Sequence, residues 1–161
     1  DDIDYLTFLI QIVAKNSQKL QITMDYDWQY ELKHFYDAKK ILDKAFSTLK
    51  DFPESNLNDS YFYSEGLYYA KQNKNTNALE SYEKGIKSAE KHQNAIALNR
   101  LKFAEYEVLF KLKNYDKAKS NLEYLIAKTP FIVDKKNYYK ELSKVYNATK
   151  EYSKAYYYSN K

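Results

Sequence analysis

An all-α fold, built as a solenoid of about four helical hairpins, is what this 161-residue sequence predicts. Three observations lead there. Glycine and proline number two each, far too few for the turns of a sheet protein. Ala38, Ala78, Ala118 and Ala155 recur at intervals of 40, 40 and 37 residues, each in a lysine-rich, helix-prone surround. A near-constant period of this size marks stacked supersecondary units. Around each alanine aromatic, aliphatic and small residues fall at helical spacing: Phe35, Leu42 and Ala45; Tyr82, Gly85 and Ile86; Tyr115, Leu122 and Leu125; Tyr152. Each unit reads as two helices, with units at about 1–53, 54–92, 93–130 and 131–161.

In chain order the pattern predicts helices near 3–33, broken near Asn16, then 36–50, 58–73, 75–91, 94–112, 115–128, 132–149 and 152–160. The first begins with the apolar "YLTFLIQIVA" at Tyr5–Ala14. That run is shorter than the ~18 apolar residues a span needs, and Asp1, Asp2 and Asp4 precede it where a signal peptide carries basic residues. In the second unit Phe62, Gly66, Tyr69 and Ala70 share one face, "NKNTN" interrupts with turn and cap formers, and Ala78, Tyr82, Gly85, Ile86 and Ala89 resume a single stripe. Gly66 and Gly85 each cost about 1 kcal/mol relative to Ala inside a helix, so a close approach of two backbones is expected there. The sequence opens without Met and its last helix is short, so a longer chain and a continuing array are expected.

Composition excludes several chemistries. Cysteine is absent, which removes disulfides, thiolate metal sites and thiol nucleophiles. His34 and His92 lie far apart with no second ligand at helical spacing, and both read as surface or boundary residues. No Gly-rich phosphate loop, HExxH or nucleophile elbow occurs. Carboxylate pairs occur, Glu80 with Glu83 and Glu105 with Glu107; the former share one helical face and, within the exposed "ESYEK" run, read as solvated rather than catalytic. No enzyme activity and no cofactor is expected of this segment. The net charge of +4 lies wholly in residues 129–161, which hold 7 basic and 3 acidic side chains. Arg100 is the sole arginine, so phosphate recognition and nucleic-acid binding are not expected.

These positions resemble the tetratricopeptide repeat family, whose first helix carries a large, a small and an aromatic residue and whose second carries a small, an aromatic and another small one. Phe62, Gly66 and Tyr69 fit the first helix of the second unit, and Ala78, Tyr82 and Gly85 its second. Tyr115, Ala118, Leu122, Leu125 and Pro130 fit the third unit; Leu142, Ser143, Tyr146, Tyr152 and Ala155 fit the fourth. The first unit matches mainly in its second helix. The resemblance spans about 19–161 and implies a right-handed superhelix. Two departures stand out. Tyr106 occupies a position where the pattern has a small residue, so that helix pair must splay or re-pack. The period also exceeds the family's, and longer second helices rather than inserted loops are expected to absorb the surplus.

The resemblance further implies a protein or peptide ligand in the concave groove lined by the first helices. The side chains expected there are Tyr63 and Leu67, with Ala70, from the second unit, then Arg100, Phe103, Glu107 and Phe110, then Asn137, Lys140, Lys144 and Asn147. This surface is aromatic at its middle and basic and amide-rich at its C-terminal end, which suits an extended peptide with an acidic end. Phe103 and Phe110 can equally be packing residues. Tyr63 and Leu67 stand where the family's carboxylate clamp is polar, so that clamp is not expected. The run Tyr156-Tyr157-Tyr158 reads either as a recognition patch or as a face that a further helix covers. The chain also resembles repeat segments that precede histidine-kinase or helix-turn-helix output domains in Bacteroidetes-type signalling proteins. That implies a sensory segment, favouring an extracytoplasmic (periplasmic) location over the cytoplasm. The alternatives are a cytoplasmic receptor for a peptide pheromone and a plain assembly adaptor. Self-association is a further option.

Overall fold

The structure, a computed structural model, describes residues 28–161, with side chains described from Asp37 onward. Among the described residues there are seven helices and no strand: α1 (Trp28–Leu49), α2 (Leu57–Lys71), α3 (Asn75–Lys91), α4 (Ala95–Lys111), α5 (Tyr115–Lys128), α6 (Ile132–Ala148) and α7 (Tyr152–Ser159). The all-α expectation holds. Bounds of α2 to α7 agree with the sequence pattern to within two residues. Two expectations need correction. No break separates 33 from 36, because nothing in "ELKHFYDA" stops a helix and α1 runs through it. The surplus after α1 is a loop at 50–56, not a longer helix. Pro53 lacks an amide hydrogen, and Asn58 fastens the loop by donating from Nδ2 to the carbonyls of Phe52 (3.1 Å), Pro53 (3.3 Å) and Ser55 (2.9 Å). The expected helix over 3–33 lies mostly outside the described residues.

Four inter-helix turns are built alike. Asn73, Gln93, Lys113 and Lys150 each take a left-handed conformation, with φ of 58°, 54°, 60° and 65°. The following amide closes back on the helix: Lys74 N to Tyr69 O (3.0 Å), Asn94 N to Ala89 O (2.8 Å), Asn114 N to Leu109 O (2.9 Å) and Glu151 N to Tyr146 O (2.8 Å). These closures satisfy carbonyls that a helix end would otherwise orphan. After α5 the chain instead leaves in extended form at Thr129, and Pro130 follows.

The chain divides into two compact units, with the boundary between Leu98 and Asn99, inside α4. In the first, Leu42, Ala45 and Leu49 of α1 form one stripe with buried Tyr61 of α2, flanked by Ile41, Leu57, Phe62 and Tyr68. Helices α2 and α3 pack as a hairpin. The four periodic alanines, Ala38, Ala78, Ala118 and Ala155, are all buried. Gly66 is needed for another reason than the expected approach of two backbones. A Cβ there would lie 2.2, 2.4 and 2.9 Å from Cε1, Cδ1 and Cζ of Tyr82, so the glycine makes room for a buried ring. In the second unit, Leu101, Val108, Leu122, Leu125, Leu142 and Val145 are buried. There α6 packs on α5 and α7 on α6. The Ser143 hydroxyl donates to the Ala155 carbonyl at 2.7 Å, joining α6 to α7.

Candidate functional site

The groove residues predicted on α4 fall at 100, 103, 107 and 110, which places them on one helical face. Phe103 and Phe110 are half-buried there, while Arg100 and Glu107 are exposed. The rings meet around a residue the sequence pattern treats only as a departure. Tyr106, itself buried, lies 5.6 Å from Phe103 and 6.1 Å from Phe110 between ring centroids. Phe103 also reaches α6, 5.6 Å from Tyr138, and Phe110 meets Tyr115 edge-on at 5.6 Å. Offset contacts of this kind suit the aromatic quadrupole.

The phenol of Tyr106 donates to Glu141 Oε2 at 2.9 Å. Lys144 Nζ donates to both oxygens of the same carboxylate, at 2.7 and 2.9 Å. Burial, reinforced by the hydrogen bond to Glu141, pushes the Tyr106 phenol well above its usual range. It therefore stays a donor and locks the ring cluster to α6. Of the predicted residues, Phe103, Phe110 and Lys144 are thus brought together through Tyr106 and Glu141. Asn137, Lys140 and Asn147 are exposed on α6. Tyr63 and Leu67 are half-buried on α2, in the first unit. Tyr138 and Glu141 escaped sequence reasoning; Tyr106, anomalous against the repeat pattern, was the signal that could have led to them.

The first unit carries polar machinery of its own. Glu65 accepts from Tyr61 through Oε1 and from Ser81 through Oε2, both at 2.7 Å. Forty residues on, Glu105 Oε2 accepts from Asn121 Nδ2, also at 2.7 Å. Glu105 is thus a structural acceptor. His92 sits at the boundary, half-buried, with both ring nitrogens engaged. Its Nδ1 lies 3.1 Å from Oδ1 of Asp59 and its Nε2 3.1 Å from the Glu54 carbonyl. Asp59 is fully buried, and its Oδ2 accepts from Asn94 at 3.1 Å. Asn94 Oδ1 in turn accepts from Ala97 N at 3.1 Å at the start of α4.

At the other end of the chain, Tyr146, Tyr158 and Tyr139 stack, Tyr158 lying 5.4 Å from Tyr146 and 5.8 Å from Tyr139. Tyr152, Tyr156 and Tyr157 are exposed. Among the described residues, no group of three or more His, Asp or Glu is placed to hold a metal ion. No helix of the described residues is long and apolar enough to cross a membrane.

Comparison with known proteins finds no family model, curated protein or solved structure that matches the chain. The tetratricopeptide resemblance rests on the residues alone.

Proposed function

We propose that the chain is a non-catalytic scaffold of helical hairpins that binds a protein or peptide through the α4 and α6 surface. The observation that carries this is the ring cluster of Phe103, Tyr106, Phe110 and Tyr138, edged by exposed lysines and amides of α6. Tyr106 and Glu141 hold the rings in place, so a ligand meets a preorganised surface and loses less entropy on binding. Rings supply most of the affinity at such surfaces, and exposed charges supply orientation that salt screens. An extended peptide with apolar anchors and an acidic end fits both parts. A sensory or interaction role within a bacterial signalling protein extends this proposal, and its support is the sequence resemblance described above.

Selection from a displayed peptide library tests it. The full chain should enrich peptides that combine aromatic or aliphatic anchors with acidic residues. Phe103→Ala with Phe110→Ala should abolish the enrichment while circular dichroism still shows a folded, helical protein. Lys140→Ala with Lys144→Ala should weaken binding at low salt and much less at high salt. Absence of enrichment above a scrambled library, or binding that survives loss of both phenylalanines, overturns the proposal.

A further inference from the structure

The loop after α1, the start of α2 and the end of α3 enclose a cleft of about 350 Å³ in the first unit, within the range of small-molecule sites. Its walls divide by chemistry. Phe46, Leu49, Tyr61 and Phe62 present carbon, whereas Lys50, Lys87 and Lys91 present cations, and no Asp or Glu is among the lining residues. The walls are also fixed without an occupant. Asn58 clamps the loop through three carbonyls, and His92 is held between the Asp59 carboxylate and the Glu54 carbonyl.

Two of the three lysines have carboxylate partners outside the lining: Lys87 with Glu83 at 3.1 Å, and Lys91 with Glu54. Both pairs are exposed, and exposed pairs of this kind are weak. A carboxylate arriving with an apolar body has more to gain, because burying that body against the rings adds a hydrophobic term that Glu54 lacks. A cation would meet three lysines, and a neutral apolar molecule would leave their charges unused.

We propose that this cleft binds an amphiphilic carboxylate, an aryl- or alkyl-carboxylic acid. Its apolar body lies against Phe46, Tyr61 and Phe62, its carboxylate lies at Lys50 and Lys91, and Glu54 is the internal competitor for Lys91. The site is independent of the α4 and α6 surface and stands or falls separately from peptide binding.

Calorimetric titration of the full chain with 4-phenylbutyrate and, in parallel, with the uncharged 4-phenylbutanol tests this, with amide chemical shifts reporting the location. The acid should bind saturably and about tenfold more tightly than the alcohol, the equivalent of two partly exposed ion pairs. Shifts should concentrate in residues 46–62 and 87–92. Lys50→Gln with Lys91→Gln should weaken the acid by about the same factor and leave the alcohol unchanged. Glu54→Gln should tighten the acid about threefold by freeing Lys91, while the Glu54 carbonyl keeps its bond to His92. Equal affinity for acid and alcohol, non-saturable binding, or indifference to the lysine variant overturns the site. A Glu54→Gln protein with unchanged affinity overturns the competitor.

Discussion

The α2–α3 and α4–α5 hairpins occupy equivalent places 40 residues apart, yet each spends its central ring differently. They share a frame. Ala78 and Ala118 are buried at the same step, Glu65 pairs with Ser81 as Glu105 pairs with Asn121, and Asn73 and Lys113 make the same left-handed turn. At the facing positions the sizes are exchanged. Gly66 makes room for Tyr82 in the first unit, whereas Tyr106 stands at the glycine's place and Leu122 at the tyrosine's in the second. Tyr82 closes its own hairpin. Tyr106 reaches out of its hairpin to Glu141 on α6 and gathers Phe103 and Phe110 as it goes. A repeat of this kind specifies backbone, small residue and polar clasp; the large side chain is left free to close the unit or to link it onward.

The largest expected effect lies where the two units differ most, at the buried carboxylate. Asp59 ties the start of α2 to His92 and Asn94, while its counterpart 40 residues on is Asn99, half-buried and uncharged. Asp59→Ala leaves His92 and Asn94 without their acceptor and should cost roughly 2–4 kcal/mol, two polar groups each losing a largely buried hydrogen bond. Asn99→Ala should stay within about 0.5 kcal/mol. Urea denaturation of both variants decides the matter, and equal losses would remove Asp59 as the feature that sets the first unit apart.

Next in size is the exchanged ring. Propensity alone would make Gly66→Ala stabilising by about 1 kcal/mol. The added methyl would meet the buried Tyr82 ring at 2.2 Å, so overpacking of about 1–3 kcal/mol should win and the variant should be less stable. Tyr82→Leu copies the second unit's choice and should relieve the clash. A double-mutant cycle should therefore show Gly66→Ala harmful beside Tyr82 and neutral or helpful beside Leu at that position. If alanine has the same effect in both backgrounds, the ring is not what holds Gly66.

How much of this was legible follows from what each feature depends on. The helices and their bounds were readable because alanine spacing, breaker residues and amphipathic stripes are local. The Gly66 position was readable, but its reason was not, since periodicity cannot tell whether a ring or a backbone fills the space. Tyr106 was visible as an exception; that it donates to Glu141, 35 residues away, depends on how α6 packs. The cleft was invisible for the same reason: its lining comes from the end of α1, a loop, the start of α2 and the end of α3. None of those segments carries a motif. The joint of α1 was misread because weak helix formers such as His34 and Phe35 look like a boundary when no neighbour is known to support them.

The smallest effect concerns the turns, which the two hairpins share in geometry and fill with different residues. Left-handed φ costs an ordinary side chain roughly 1–2 kcal/mol, while asparagine tolerates it and glycine avoids the cost. Lys113 has the ordinary side chain at φ 60°, and Asn73 has the tolerant one at φ 58°. Glycine also gives the unfolded chain more freedom, which offsets part of any gain by about 0.4–1 kcal/mol. The balance favours Lys113→Gly by about 0.5 kcal/mol and leaves Asn73→Gly near neutral or slightly harmful. Thermal melts of the two variants under identical conditions should therefore move in different directions, the lysine variant upward. If both melt lower, relief of the left-handed strain is smaller than the entropy it releases, and lysine suits this turn as well as asparagine does.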